Sequence, residues 1–227
     1  YHACRYGFNH ELPILTASNA RVREVGFESF EDYHYYQQAM GSCNFLGNDQ
    51  LDFYGQVVLS GSAKPLVTNA AAHTGRTSLH FNTGQSLTLT HFVNKTNEVY
   101  PPAGTDGWSH HLYDVCSDDH ALNRLAFNPG KYLVSFWVRN PTPALSYTSD
   151  IALAIQTQDG STIAAVSTAL KQSPVVNGWQ KLDYTFTIPS SPGFGANSTI
   201  RFSLTASNSV YIDDFRVQPY NSKMTCT

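Results

Sequence analysis

The sequence has little charge and little cysteine. Only 14% of its 227 residues are charged and the formal net charge is −3, so no general attraction to nucleic acid or to an anionic membrane is expected. The four cysteines include no Cys-x-x-Cys pair, which excludes the usual spacing of a zinc site. Their even number allows two disulfides in any of three connectivities. The cysteines are Cys4, Cys43, Cys116 and Cys226.

Long apolar runs and catalytic motifs are also missing. No stretch reaches the ~18 apolar residues of a membrane-spanning helix. The sequence has no Gly-x-Ser-x-Gly elbow, no His-Glu-x-x-His, no phosphate loop and no nucleotide fingerprint. A glycosidase needs two carboxylates facing each other across a cleft, and nothing in the sequence favours such a pair. We therefore expect a protein that is not an enzyme.

A histidine-rich stretch lies in the middle of the chain, with His110, His111 and His120 around Cys116. Adjacent histidines on an extended chain point to opposite sides. No second pair of ligands follows at a recognised metal-site spacing. The stretch is therefore interpreted as a polar surface loop in preference to a transition-metal site.

Aromatic residues are abundant, at 13% of the chain, and 41% of all residues are hydrophobic with a mean hydropathy of −0.28. Short segments rich in β-branched and aromatic residues alternate between apolar and polar positions, and turn residues separate them. Almost no helical period is present. This pattern predicts an all-β protein, a β-sandwich of the jelly-roll type. The predicted strands are 53–59, 77–81, 86–92, 131–139, 150–156, 162–168, 178–188, 199–205 and 210–217.

The order of these segments predicts a single domain. Residues 26–219 hold the regular strands, and residues 94–130 form an inserted loop that is too long for an ordinary connection. Residues 1–25 are interpreted as a lead-in segment and residues 220–227 as the start of a linker or of a further segment. We expect the chain to be a module of a larger protein.

The predicted last strand, 210–217, contains one misplaced acid. Strict alternation places Asp213 on the same face as Tyr211, Phe215 and Val217. A buried carboxylate without partners is costly. Asp213 therefore needs a cation, several hydrogen-bond donors or a raised pKa.

Four motifs along the chain resemble the jelly-roll carbohydrate-binding modules of the galactose-binding-like superfamily, in particular those that accompany xylanases and glucanases. Strand 131–139 also matches a strand of that family. The resemblance covers residues 26–219 and implies a jelly-roll fold, export from a bacterial cell and a place in a large secreted or surface protein. The motifs are Gly26-Phe27-Glu28, His73 to Leu79, Gly178 to Ile188 and Tyr211 to Phe215.

The resemblance also implies a structural calcium ion that joins the first strand to the last. Glu28 and Asp213 would supply carboxylates, and Arg76 would supply its main-chain carbonyl. Calcium binds six to eight oxygens from such groups and from water. The alternative is that Asp213 accepts hydrogen bonds from main-chain amides near Gly75.

A ligand-binding face is predicted around strand 131–139, where Trp137 and Arg139 point away from the core. Aromatic rings stack on sugar rings, and Arg, Gln and Asn bind their hydroxyls. An outward tryptophan on a sheet needs a ligand or a cover. The alternative is therefore that the insertion folds over Trp137. The candidate ligand-binding residues are Trp137, Arg139, Gln156, Trp108 and Tyr113.

Together these observations predict a noncatalytic carbohydrate-binding module. Its expected partners are a polysaccharide or glycan and the neighbouring domains of a larger chain, without nucleic acid and without a membrane span. We expect a monomeric module that is secreted or displayed at the cell surface. The alternative is a structural or protein-interaction module that keeps the fold but has no sugar site. Trp179 opens its strand at a position that the resemblance places in the core of the family, so it is predicted to pack.

Overall fold

A computed structural model describes residues 2–7, 12–20, 24–30, 66–93, 126–127, 129–157, 162–166, 171–188 and 199–226. Over these ranges the regular structure is β-strand, as predicted, and no helix that could span a membrane is found in them. The strands are β1 His2–Gly7, β2 Leu12–Ser18, β3 Gly26–Glu28, β4 Val67–Thr68, β5 Ser78–Phe81, β6 Ser86–Val93, β7 Ala126–Phe127, β8 Gly130–Arg139, β9 Ile151–Thr157, β10 Thr162–Val166, β11 Lys171–Gln172, β12 Gln180–Ile188, β13 Thr199–Ala206, β14 Val210–Pro219 and β15 Lys223–Cys226.

Two large sheets form the body of the fold. A five-stranded sheet has the order β10-β9-β13-β6-β7. A seven-stranded sheet has the order β11-β12-β8-β14-β5-β4, and β3 pairs with β14 beside it. Strand β12 shows why these segments are strands: its residues alternate between buried and more exposed positions, so that Leu182, Tyr184 and Phe186 all face inward.

The core lies between the two sheets. Phe215 and Phe136 stack with centroids 5.7 Å apart within the seven-stranded sheet. Phe202 of the five-stranded sheet contacts Phe215 edge-on at 6.2 Å and Phe186 edge-on at 5.5 Å. These ring contacts join the inner faces, so the architecture is the β-sandwich that the sequence predicts.

Part of the predicted insertion belongs to the sandwich. The segment 94–130 includes β7, which pairs in parallel with the end of β6 through Phe92 and Ala126, and it also includes the first residue of β8. The insertion is therefore shorter at its C-terminal end than predicted. Residues 94–125 lie outside the described part of the chain, as does the predicted strand 53–59.

Both ends of the chain meet in a small third sheet with the order β1-β2-β15. Cys4 of β1 lies opposite Thr16 of β2, and Cys226 of β15 lies opposite Leu15. Strand β2 therefore separates the two cysteines by two strand spacings, roughly 9–10 Å. Cys43 and Cys116 lie outside the described residues.

Strand β14 does not alternate without interruption, and this corrects the sequence-based assignment of its faces. Its pairing with β8 shifts between Asp213 and Arg216, and Asp214 has a φ of +49°. This irregularity is a β-bulge with one residue in the left-handed region, a conformation that Asp tolerates. Before the bulge, Asp213 lies opposite the outward-facing Trp137; after it, Phe215 is buried in the core. Asp213 was therefore wrongly placed on the apolar face.

Candidate functional site

The bulge lies where β14 changes its neighbour on one edge. β8 pairs along most of β14 on the other edge. On the changing edge, β5 pairs with residues 210–212 and β3 pairs with residues 215–217. The two bulge residues between these ranges bind the loop that contains His73 and Thr74. The bulge thus creates a place where a loop is joined to the outer face of the seven-stranded sheet.

Asp213 is fully buried and is held by three main-chain amides. Its Oδ2 accepts from the N–H of His73 at 2.7 Å and of Thr74 at 3.2 Å, and its Oδ1 accepts from the N–H of Asp214 at 2.7 Å. Burial raises the pKa of Asp213 from 3.8 to about 7, the neighbouring Asp214 adds to the rise, and the three amides oppose it. Hydrogen bonding by amides near Gly75, one of the two predicted alternatives, is therefore observed.

Asp214 binds the same two loop residues through their side chains. Its Oδ2 lies 2.6 Å from Nδ1 of His73, and its Oδ1 accepts from the Thr74 hydroxyl at 2.6 Å. Nδ1 of His73 donates this bond in the tautomer that carries the ring proton on Nδ1. Asp214 is 2% exposed and His73 is 24% exposed. Two adjacent acids thus fix both the main chain and the side chains of residues 73–74.

The donor set around Asp213 bears on the expected calcium site. Three of the four lone-pair positions of its carboxylate face N–H groups, whereas calcium requires oxygen ligands. Among the described residues, no group of three or more His, Cys, Asp or Glu side chains could hold a metal ion, and the side chain of Glu28 lies outside them. The described residues alone do not fit a calcium ion, and the predicted site of Glu28, Arg76 and Asp213 stays a prediction.

His73 covers one face of Trp137. The two rings are stacked with centroids 3.9 Å apart and planes at 16°. Trp179 meets His73 edge-on at 5.6 Å, and it is only 4% exposed, which confirms that it packs. Trp137 remains half-buried. In the described structure its cover is therefore the short loop at residue 73, and the predicted cover by the long insertion lies outside the described residues.

A row of aromatic and cationic side chains continues from Trp137 across the outer face. Arg139 follows on the same strand and lies opposite Tyr211 of β14, which lies opposite His80 of β5. The rings of Tyr211 and His80 stack at 4.6 Å, and Nε2 of His80 lies 3.0 Å from the Ser209 hydroxyl. All of these side chains are half-buried. We name this surface the aromatic patch: His73, His80, Trp137, Arg139 and Tyr211.

Gly178 lies beside Arg139, in the turn that precedes β12. A Cβ at Gly178 would lie 3.6 Å from Nε of Arg139, and Gly178 has a φ of +82°. This left-handed conformation is unfavourable for residues with a side chain. A Cβ at 3.6 Å would make an ordinary van der Waals contact, so the glycine is required by the left-handed conformation of the turn and not by lack of space beside the guanidinium.

The predicted ligand residues divide between two surfaces. Trp137 and Arg139 lie together on the seven-stranded sheet, whereas Gln156 lies opposite Arg201 on the five-stranded sheet. Because the inner faces of the two sheets pack against each other, the outer face that carries Gln156 is on the far side of the sandwich. Trp108 and Tyr113 lie outside the described residues.

Three members of the patch were not identified from the sequence as ligand candidates: His73, His80 and Tyr211. The alternation of residues along β14 correctly places Tyr211 on the same face as Asp213, but it does not show that Arg139 of β8 lies opposite Tyr211. His73 and Trp137 are 64 positions apart, and their contact depends on the bulge. One sequence signal points to the bulge: the pair Asp213-Asp214 lies inside a strand, and Asp readily adopts the left-handed conformation that a bulge requires.

The chain was also compared with known proteins. No family model matches the sequence, and no curated protein matches it. Among solved structures, the xylan-binding domain CBM22-1 of Paenibacillus barcinonensis Xyn10C is similar with a TM-score of 0.37 and 15% identity, over 67% of this chain and 78% of that domain. The C-terminal family 22 carbohydrate-binding module of Clostridium thermocellum Xyn10B gives a TM-score of 0.34 and 16% identity, over 69% and 81%.

A neighbour of another class is the Stig cyclase Fisc from Fischerella sp. TAU, with a TM-score of 0.34 and 15% identity, over 68% of this chain and 69% of that one. Carbohydrate-binding modules are among the neighbours. At these identities and TM-scores the neighbours assign no ligand and no activity to this chain. Its function has to be inferred from its own residues.

Proposed function

We propose that this chain is a noncatalytic module that binds a polysaccharide or glycan at the aromatic patch. The observation that carries the proposal is the juxtaposition of Trp137, Arg139 and Tyr211, all half-buried, on an outward sheet face. The outer face of a sandwich normally carries scattered polar residues. A contiguous group of rings with one guanidinium is instead typical of a surface that binds a ligand with both apolar and polar sides.

The chemistry of a sugar matches this surface. One side of a pyranose ring presents C–H groups that pack on an aromatic ring, and its hydroxyls accept hydrogen bonds from a guanidinium. Tyr211 and Arg139 are neighbours across β14 and β8 and would supply both groups to the same sugar. The stack of His73 on Trp137 fixes the indole, which lowers the conformational entropy lost when a ligand binds.

The proposal also includes the setting of the module. A polysaccharide target lies outside the cytoplasm in most cases, so we place the module in a secreted or surface protein, joined to other domains. No part of this proposal requires catalysis. The role of the module would be to hold its parent protein on the polysaccharide.

Affinity electrophoresis in gels that contain single polysaccharides tests the proposal. We expect the wild-type protein to be retarded by at least one polysaccharide, and Tyr211→Ala to reduce its affinity about tenfold, the effect of losing one central aromatic contact. Tyr220→Ala is the matched control, because Tyr220 is an exposed tyrosine outside the patch, packed under Nζ of Lys131 at 4.0 Å. Tyr220→Ala should migrate like the wild type.

The alternative of a structural or protein-interaction module has one observation in its favour: His73 already occupies one face of Trp137. In that case the stack serves only to attach the loop to the sheet. A wild-type protein that no polysaccharide retards would contradict glycan binding and favour this alternative.

A further inference from the structure

Arg139 brings to the aromatic patch a positive charge that no residue in the described part of the chain neutralises. Its side chain is half-buried at the end of β8, opposite Tyr211 and beside Gly178. Over the described part of the chain, its guanidinium makes no hydrogen bond and no ion pair. A half-buried guanidinium has five N–H donors that have lost part of their hydration, so it has the capacity to bind an acceptor.

The three acids that the structure describes on the same sheet face do not neutralise Arg139, because they are engaged elsewhere. Asp213 accepts from three amides, and Asp214 binds His73 and Thr74. Asp183 forms an ion pair with Lys181 at 3.0 Å. Among the described residues, the face around the patch therefore offers a cation without a counter-ion.

The neighbours of Arg139 limit the shape of the group that would bind there. Tyr211 lies across from it in the sheet, and the bare main chain of Gly178 lies on its other side. A planar carboxylate matches the fork of a guanidinium with two parallel hydrogen bonds, which neutral hydroxyls do not provide. A sugar ring next to the carboxylate would lie on Tyr211.

We propose that the polysaccharide bound at the aromatic patch carries carboxylates, as polymers of uronic acids do, and that Arg139 selects it by binding the carboxylate. This inference rests on the proposed function and specifies its ligand class. Arg139 is then the specificity-determining residue, and Tyr211 supplies affinity for any sugar ring that reaches the patch.

The test compares each acidic polymer with its own methyl ester. Polygalacturonate, alginate and hyaluronan are used in the sodium form and as full methyl esters, which keep the sugar backbone and remove the charge. We expect the wild-type protein to bind at least one acid about tenfold or more tightly than its ester, as expected for a charge-assisted hydrogen-bonded pair. Added salt should reduce this preference.

Two variants assign the preference to Arg139. Arg139→Gln should abolish the preference for the acid over the ester while the weak binding of the ester persists, and Arg139→Lys should keep part of the preference. Arg201→Gln is the matched control, because Arg201 is also half-buried in a strand but lies on the opposite sheet. It should keep the wild-type preference, and melting curves verify that each variant is folded.

The outcomes separate this inference from the function on which it depends. Equal binding of every acid and its ester, or binding of neutral polysaccharides alone, would overturn the inference and leave glycan binding intact. Binding of dextran sulfate as tight as that of the best uronate would also overturn it, because it would indicate a general affinity for polyanions. Absence of binding to every polysaccharide would contradict both proposals.

Discussion

The buried Asp213 should make the stability of this protein depend on pH in an unusual direction. Its pKa is raised from 3.8 to about 7, mainly by burial. Because the pKa in the folded state lies above the pKa in the unfolded state, the folded protein retains a proton that the unfolded chain has already released. The contribution of Asp213 to stability is therefore fully present below about pH 3.8 and is lost as the pH rises through about 7.

The size of the effect follows from the gap between the two pKa values. A gap of about three units corresponds to about 4 kcal/mol in total, and the part that falls between pH 5 and pH 8 is about 2.5 kcal/mol. Asp213→Asn removes the titrating group. Its carbonyl oxygen can still accept from the amides of His73 and Thr74, while the bond from the amide of Asp214 is lost.

The assay is urea unfolding at several pH values between 5 and 8. We expect the free energy of unfolding of the wild type, relative to Asp213→Asn, to fall by about 2.5 kcal/mol across this range. Asp183→Asn makes the same change of side chain at another acid on this face, one that pairs with Lys181, so it controls for the replacement of an acid by an amide there. A relative stability of the wild type that rises with pH would refute the reasoning, because it would mean that the three amides outweigh burial.

Three further predictions concern the metal, the stack and the core. If Glu28, Arg76 and Asp213 hold calcium, a chelator lowers the melting temperature of the wild type but not of Asp213→Ala; an unchanged wild-type curve would count against the ion. His73→Ala uncovers one face of Trp137, so acrylamide should quench tryptophan fluorescence more strongly, and unchanged quenching would contradict the stack. Phe202→Ala should destabilise the fold by about 3–5 kcal/mol in urea unfolding, because the ring is fully buried between Phe186 and Phe215; a loss below 1 kcal/mol would argue against this core.

Strands with clear alternation were predictable from the sequence. β12 is an example, because Leu182, Tyr184 and Phe186 mark its inner face without knowledge of its neighbours. β1, β2 and β15 were not predictable as one sheet, because they combine the two ends of the chain and have no strong period of their own. Short strands such as β4 and β11 contain two residues each, too few to show a pattern.

The candidate site was only partly predictable, for three physical reasons. Alternation shows that Trp137 and Gln156 face outward, but it does not show which sheet each strand joins. A bulge changes the face of every later residue, so the position of Asp213 relative to Phe215 depended on the conformation of Asp214 alone. The contact between His73 and Trp137 is non-local and arises only when the loop binds the bulge.

The central claim is that a glycan binds on the outer face of the seven-stranded sheet, at the aromatic patch. It is tested most directly by isothermal titration calorimetry of the wild type, Tyr211→Ala and Arg201→Gln with a polysaccharide that retards the wild type. We expect Tyr211→Ala to raise the Kd about tenfold and Arg201→Gln, on the opposite sheet, to leave it unchanged. A Kd that responds to Arg201→Gln and not to Tyr211→Ala would contradict the account, because it would place the ligand on the other side of the sandwich.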